Sequence, residues 1–164
     1  MVRNLFYTSE IMITIRKANS DDIPFVEAHT YRLAQFGPPS WRDADAMTKA
    51  DINYISRAIT NNSPDAIVFI ASDDEEPCGL IHLFKLRDYY TLEEHVHVSD
   101  LLVTKDAEGK GAGKLLLKQA DNWATENSIE WVNLNVFVNN TRAHAFYLKE
   151  GFQQEWIKYI KKVD

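Results

Sequence analysis

The chain has 164 residues, 45% hydrophobic and 26% charged, with a formal charge of −6, a composition that fits one ordinary domain with its own core. No run of about 20 apolar residues is present to cross a membrane, and the acidic balance argues against a nucleic-acid face while mildly favouring cationic small molecules. The single Cys78 rules out an internal disulfide and an all-cysteine metal site, which suits a reducing cytoplasm.

The opening MVRNLFYTSEI (residues 1–11) lacks the long apolar core of a signal peptide, and Met12 begins a cleaner strand. Residues 1–11 are therefore read as an extension or an upstream start, and residues 12–164 as one domain. MITIRKA (Met12–Ala18) alternates apolar and polar residues and predicts a strand. In NSDDIPFVEAHTYRLAQF, Ser20 is the expected N-cap, Asp21 and Asp22 complement the helix dipole, and Ile23, Val26 and His29 or Thr30 keep helical spacing. GPPSW (Gly37–Trp41) breaks that helix, and Met47, Ile52, Ile55 and Ile59 mark the next one. AIVFIAS (Ala66–Ser72), CGLIHLFKLRDYY and EHVHVSDLLVT predict three strands in succession. From Gly111 to Glu126, Ala112, Leu116, Ala120, Trp123 and Ala124 share one helix face. WVNLNVFV (Trp131–Val138) reads as a strand, TRAHAFYLKE as a helix closed by Gly151, and FQQEWIKYIKKV as closing strand material. Trp123 and Trp131 are assigned to the core. The order predicts an α/β (α+β) domain with one central mixed sheet flanked by helices.

EGKGAG (Glu108–Gly113) places three glycines at alternate positions. Ordering glycine is entropically costly, so the cluster needs a reason. It joins a strand ending near Val103 or Thr104 to a helix starting near Gly111. Amides at a helix N-terminus bind anions, glycines let phosphate oxygens reach them, and Lys110 and Lys114 add positive charge. A phosphorylated cofactor is one reading; a flexible turn that caps a helix is the other. Two familiar phosphate loops fail here. A P-loop needs Ser or Thr after Lys114 and glycine five places before Gly113, where Leu115 and Glu108 stand. The Rossmann fingerprint read from Gly109 needs glycine where Lys114 stands.

DLLVTKDAEGKGAGKLLL, followed by LNVFVNNTRAHAFYLKEGF, resembles the GNAT family of N-acetyltransferases. The first stretch keeps the spacing of that family's cofactor motif from Val103 to Gly111 and Gly113. Asn140, Ala143, Tyr147 and Gly151-Phe152 match the second motif. Glu108 departs from the pattern, standing where the family usually has Arg or Gln. The resemblance implies a mostly antiparallel sheet that splays near DLLVT and NLNVFV, with acetyl-CoA as the acyl donor. Backbone groups of Leu101, Leu102 and Val103 would then pair with the pantetheine arm. The amides of Gly109, Lys110, Gly111, Ala112, Gly113 and Lys114 would hold the pyrophosphate.

The resemblance also implies that Tyr147 protonates the departing thiolate, its alternative being a core tyrosine. Asn140 and Ala143 belong to the cofactor side, and Asn140 also suits a helix cap. For the base, the strand before the loop offers His95, His97, Ser99 and Asp100. Regular alternation puts His97 and Ser99 on one face and Asp100 on the other, unless a bulge intervenes. Asp100 is the acid nearest the expected place, and histidine is the side chain whose charge ordinarily changes nearest neutral pH, which brings in His97. No third ligand accompanies His95 and His97, so no metal is expected. Phe36 and Trp41 either wall the acceptor pocket or pack. The expected function is acetyl transfer from acetyl-CoA to a primary amine of a small molecule, peptide or protein. The alternative is an acyl-CoA-binding sensor. Dimers are frequent in the family, and neither a nucleic acid nor a membrane partner is expected.

Overall fold

The alternation of Ile13 and Ile15 builds β1 (Ile13–Lys17) in a computed structural model that describes residues 12–163. The expectation about residues 1–11 lies outside the described residues. After β1 the cap falls one residue earlier than Ser20. Asn19 has the extended backbone an N-cap needs, its side chain accepts from the Asp21 amide at 2.8 Å, and Asp22 accepts from the Asn19 amide at 2.9 Å. Asp22 is buried and takes two Arg16 hydrogen bonds at 2.7 and 2.8 Å, which tie β1 to the helices that follow.

α1 (Ile23–His29) runs into a 3-10 turn at Thr30–Ala34, and α2 (Ala44–Thr60) starts at an Asp43 cap. Three strands follow, β2 (Ala66–Asp73), β3 (Glu76–Arg87) and β4 (Glu94–Val103). A 3-10 turn at Lys105–Ala107 leads through the glycine loop into α3 (Ala112–Glu126). β5 (Val132–Leu134) and α4 (Thr141–Lys149) complete the order. The sheet runs β1-β2-β3-β4-β5, with the first four strands antiparallel and β5 parallel to β4.

Both sheet faces are covered. Val26 and Ile55 of α1 and α2 pack on Val68, Ile70, Leu80 and Leu102. On the other face Ala112, Leu116, Ala120, Trp123 and Ala124 of α3 meet Ile81, Leu83, Val96 and Val98, as their shared helical face predicts. Among the described residues no helix is long and apolar enough to cross a membrane.

Two irregularities shape the site. The β3–β4 register shifts between His82↔Asp100 and Leu83↔Val98, so Ser99 is an extra residue, a β-bulge. β5 pairs only with Val96–Val98, so beyond Val98 the far edge of β4 has no neighbouring strand among the described residues. The splay near DLLVT is therefore present.

Two expectations are corrected. Trp131 is 58% exposed at the mouth of β5 rather than in the core. The closing segment from residue 153 to 163 is irregular and exposed rather than a strand. Its apolar residues come in adjacent pairs, Trp156-Ile157 and Tyr159-Ile160, so no single face is specified for a sheet to bury.

Candidate active site

The glycine loop is built for two different purposes. Gly111 caps α3 with left-handed backbone (φ +90), and a Cβ there would meet nothing within 4 Å. The space in front of the helix is open, and the amides of Ala112, Gly113 and Lys114 donate to no acceptor among the described residues. Such an array, at the positive end of a helix, attracts an anion. Gly113 is small for another reason: its Cβ would come within 3.3 Å of the Phe146 ring, so it lets α4 pack on the first turn of α3.

The loop's charges are rearranged relative to the sequence reading. Lys110 is tied to Asp73 at 3.0 Å and turns toward the end of β2. A cavity of about 310 Å³ lies on that side, lined by Asp73, Pro77, Cys78, Thr104 and Lys110. Lys114 is exposed. Glu108 accepts from Arg32 at 2.6 Å and from Arg142 at 2.9 Å. The Arg142 guanidinium, with Arg32 adding to it, holds the Glu108 carboxyl below its ordinary range despite partial desolvation. Arg32 Nε also donates to the Val103 carbonyl at 3.0 Å, so this group of the β4 end already has a partner, whereas Leu101 and Leu102 lie on the stretch of β4 beyond its pairing with β5.

Further along β4, the bulge at Ser99 turns Asp100 onto the α2 face, the face that also carries His97. Asp100 Oδ2 lies 2.9 Å from His82 Nδ1, and both residues are buried, at 8% and 3% exposure. His82 also lines a second cavity, about 230 Å³, with Tyr54, Ala58 and Phe84. His97 does not join this pair: its Nδ1 meets Asn133 Oδ1 at 2.6 Å, and Asn133 Nδ2 reaches His95 at 3.1 Å. The Phe84 ring stands between the two histidines, 5.9 Å from His82 and 5.0 Å from His97.

Two more groups feel the charge of Asp100. Asp51 sits one turn before the fully buried Ile55 on α2, hence on the side facing the sheet. Burial, reinforced by the negative charge of Asp100 and partly opposed by His82, pushes its carboxyl up to about 6. Tyr147 projects from α4 between Phe146 and Phe152, with ring centroids 5.4 and 5.7 Å away. Burial, with Asp100 adding to it, pushes its phenol up to about 12. The hydroxyl therefore stays protonated at neutral pH.

Asn140 caps α4, its Oδ1 accepting from the Ala143 amide at 3.1 Å. His144, one turn on, keeps Nε2 buried without a hydrogen-bond partner among the described residues. Phe36 and Trp41 are exposed, at 45% and 64%, on the loop between the 3-10 turn and α2. That loop lies against the chain leading into α4: a Cβ on Gly37 would come within 2.8 Å of the Asn140 amide nitrogen, and Arg42 sits 5.8 Å from the Phe137 ring centroid. His82, Asp51, Arg32 and Arg142 were not singled out from sequence. The one local signal was a histidine inside the apolar run LIHLF.

A family model described as the acetyltransferase (GNAT) family matches residues 28–152. An uncharacterized N-acetyltransferase of Bacillus subtilis, YhfO, is 22% identical over 143 residues, covering 87% of this chain and 91% of its own. Among solved structures, the aminoglycoside acetyltransferase AAC(6')-Iy in complex with a bisubstrate analog of CoA and acetylneamine superimposes with a TM-score of 0.70 at 20% identity, covering 93% of this chain and 99% of that one. A predicted acetyltransferase of Clostridium acetobutylicum, solved with acetyl-CoA, gives a TM-score of 0.68 at 21% identity, covering 91% and 96%.

Proposed function

The chain belongs to the acetyltransferase (GNAT) family, and on that premise we propose that it moves the acetyl group of acetyl-CoA to a primary amine of a cationic small molecule. One observation carries the reading. Backbone groups without a partner among the described residues stand at both ends of one route: the amides of Ala112, Gly113 and Lys114 at the start of α3, and the edge of β4 that β5 leaves open at Leu101 and Leu102, with the Val103 carbonyl between them held by Arg32. That arrangement fits a CoA thioester in chemistry. The open space at Gly111 admits a diphosphate, the free amides suit its charge, and the strand edge suits the amide groups of a pantetheine arm.

Acetyl-CoA supplies an activated acyl group; the chain's own residues manage protons. The amine must be neutral to attack the thioester carbonyl, and the new C–N bond forms as the C–S bond breaks. Asp100, held by His82, accepts the proton the amine gives up, directly or through one water. Tyr147 gives its phenolic proton to the departing sulfur, and the high pKa of that phenol keeps it loaded until then. The proton count closes once Asp100 has released its proton to solvent and Tyr147 has been reprotonated. Asp51 gives the acceptor side a second carboxylate, which favours a substrate carrying positive charge. Phe36 and Trp41 stand on the loop that leans over this region and are the aromatic groups available to contact the acceptor. The complex of AAC(6')-Iy with its acetylneamine analog supports a polyamine-like acceptor, at the level of fold alone.

The reading is tested by thermal denaturation with acetyl-CoA. A ligand that binds only the folded protein stabilises it by roughly 2.7 kcal/mol at a hundred times its dissociation constant. A rise in Tm that saturates with acetyl-CoA supports the donor site. An unchanged Tm at millimolar acetyl-CoA would remove it.

A further inference from the structure

Glu108 occupies the place where a cation would help hold a phosphorylated donor, yet it does not leave that place negative. It gathers Arg32 from the 3-10 turn after α1 and Arg142 from the first turn of α4, at 2.6 and 2.9 Å. Two guanidinium groups and one carboxylate leave a net positive cluster, in a chain whose formal charge is −6. Arg142 stands in the first turn of its own helix, where the dipole disfavours a cation. The loop's Lys110 is engaged with Asp73 instead. Arg32 is only 11% exposed and reaches across from Val103 to Glu108, over the route from the strand edge to the N-terminus of α3. A guanidinium has five N–H donors. Arg32 uses Nε and one terminal nitrogen, Arg142 one terminal nitrogen, and both keep donors free.

We propose that Arg32 and Arg142 are ligands of the donor's phosphate groups, and that Glu108 is the anchor that sets them in place. The inference rests on the acetyl-CoA reading above. Glu108 is then a positioning residue, and the departure from the family pattern moves the cation from the loop to its two neighbours. Bound pantetheine takes the Val103 carbonyl from Arg32, which frees Nε as a further donor toward phosphate.

The sign of one substitution separates this from simple repulsion. If Glu108 only repels phosphate, Glu108→Gln tightens CoA. If it anchors the arginines, Glu108→Gln weakens CoA by about three- to tenfold, since the guanidinium groups lose their shared partner. Calorimetric titration of CoA and of pantetheine, which lacks phosphate, is carried out on the wild type, Glu108→Gln, Arg142→Gln and the double variant. Arg142→Gln is expected to lower the preference for CoA over pantetheine about tenfold, the scale of one charge-assisted hydrogen bond. The double variant is expected to be no weaker than the worse single one, because both changes break one unit. Arg142 and Glu108 are both partly exposed, so these variants fold, and matched melting temperatures without ligand check that they do. Tighter CoA binding by Glu108→Gln, or fully additive losses, overturns the anchor. A wild type that binds neither CoA nor pantetheine overturns the acetyl-CoA reading and this inference with it.

Discussion

Replacing Asp51 with asparagine is expected to stabilise the fold above about pH 6 and to leave it unchanged near pH 4. The carboxyl moves from an ordinary value of roughly 3.9 to about 6 in the folded chain. The folded state therefore binds the proton more strongly than the unfolded state. Below the unfolded value both states are protonated and the group costs nothing. As pH rises through the folded value, the fold has to carry a carboxylate beside Asp100, and stability is lost. Two pKa units at about 1.4 kcal/mol each set a ceiling of roughly 3 kcal/mol. Asp51 keeps partial contact with water, so screening reduces this to about 1–2 kcal/mol, or roughly 3–6 °C in Tm for a domain of this size. Thermal denaturation followed by circular dichroism, from about pH 4 to about pH 8, measures the difference between the two proteins. A difference that grows with pH and levels off above pH 6 is expected. A flat difference, or a variant less stable at pH 8, would show that the Asp51 charge is compensated in the fold and would refute the reasoning. The same variant should raise KM for a cationic acceptor about tenfold, since a desolvated carboxylate that costs stability is kept for what it binds.

Tyr147→Phe keeps the packing against Phe146 and Phe152 and removes the proton donor; turnover should fall by about 10²-fold, the low end for general acid catalysis because a thiolate leaves readily, with CoA affinity little changed. Equal turnover of the two proteins from neutral to alkaline pH would make Tyr147 a packing residue. Asp100→Asn keeps a hydrogen-bonding partner for His82 but removes the proton acceptor, and amine-dependent rates are expected to drop by roughly 10²-fold while stabilisation by acetyl-CoA persists. An undiminished rate would move the base to another group, with His82 and His97 both on that face. Gly111→Val is expected to abolish thermal stabilisation by acetyl-CoA, since its side chain enters the open space before α3. Both variants should lower Tm without ligand, Gly111→Val because valine is strained at φ +90 and Gly113→Val because it meets the Phe146 ring; a Gly111→Val protein that folds and keeps its full shift with acetyl-CoA would remove the ligand role of that position.

The order of elements was legible because alternation and helical periodicity are carried by side chains. The glycine loop and the NNTRAHAFY stretch were legible because both depend on local backbone requirements. The facing of Asp100 was not. The bulge at Ser99 is a backbone irregularity with no side-chain signature, and strict alternation placed Asp100 on the wrong face. His82 was hidden inside an apolar run whose period is that of a core strand. Arg32 had no local signal at all, since its partner Glu108 lies 76 residues away in sequence. Spacing alone also did not show that Gly113, whose amide at the start of α3 has no acceptor among the described residues, has to be small because the Phe146 ring packs against it.

The most direct measurement is thiol release from acetyl-CoA with and without primary amines, paired with mass analysis of the acceptor. Diamines, aminoglycosides, amino acids and peptide N-termini cover the chemistries in question. The account predicts release that depends on an amine carrying further positive charge, with one acetyl group appearing on that amine for each thiol released. Acetyl-CoA that stabilises the protein but yields no amine-dependent thiol with any of these acceptors would contradict it, and would identify the fold as an acyl-CoA-binding module without transfer.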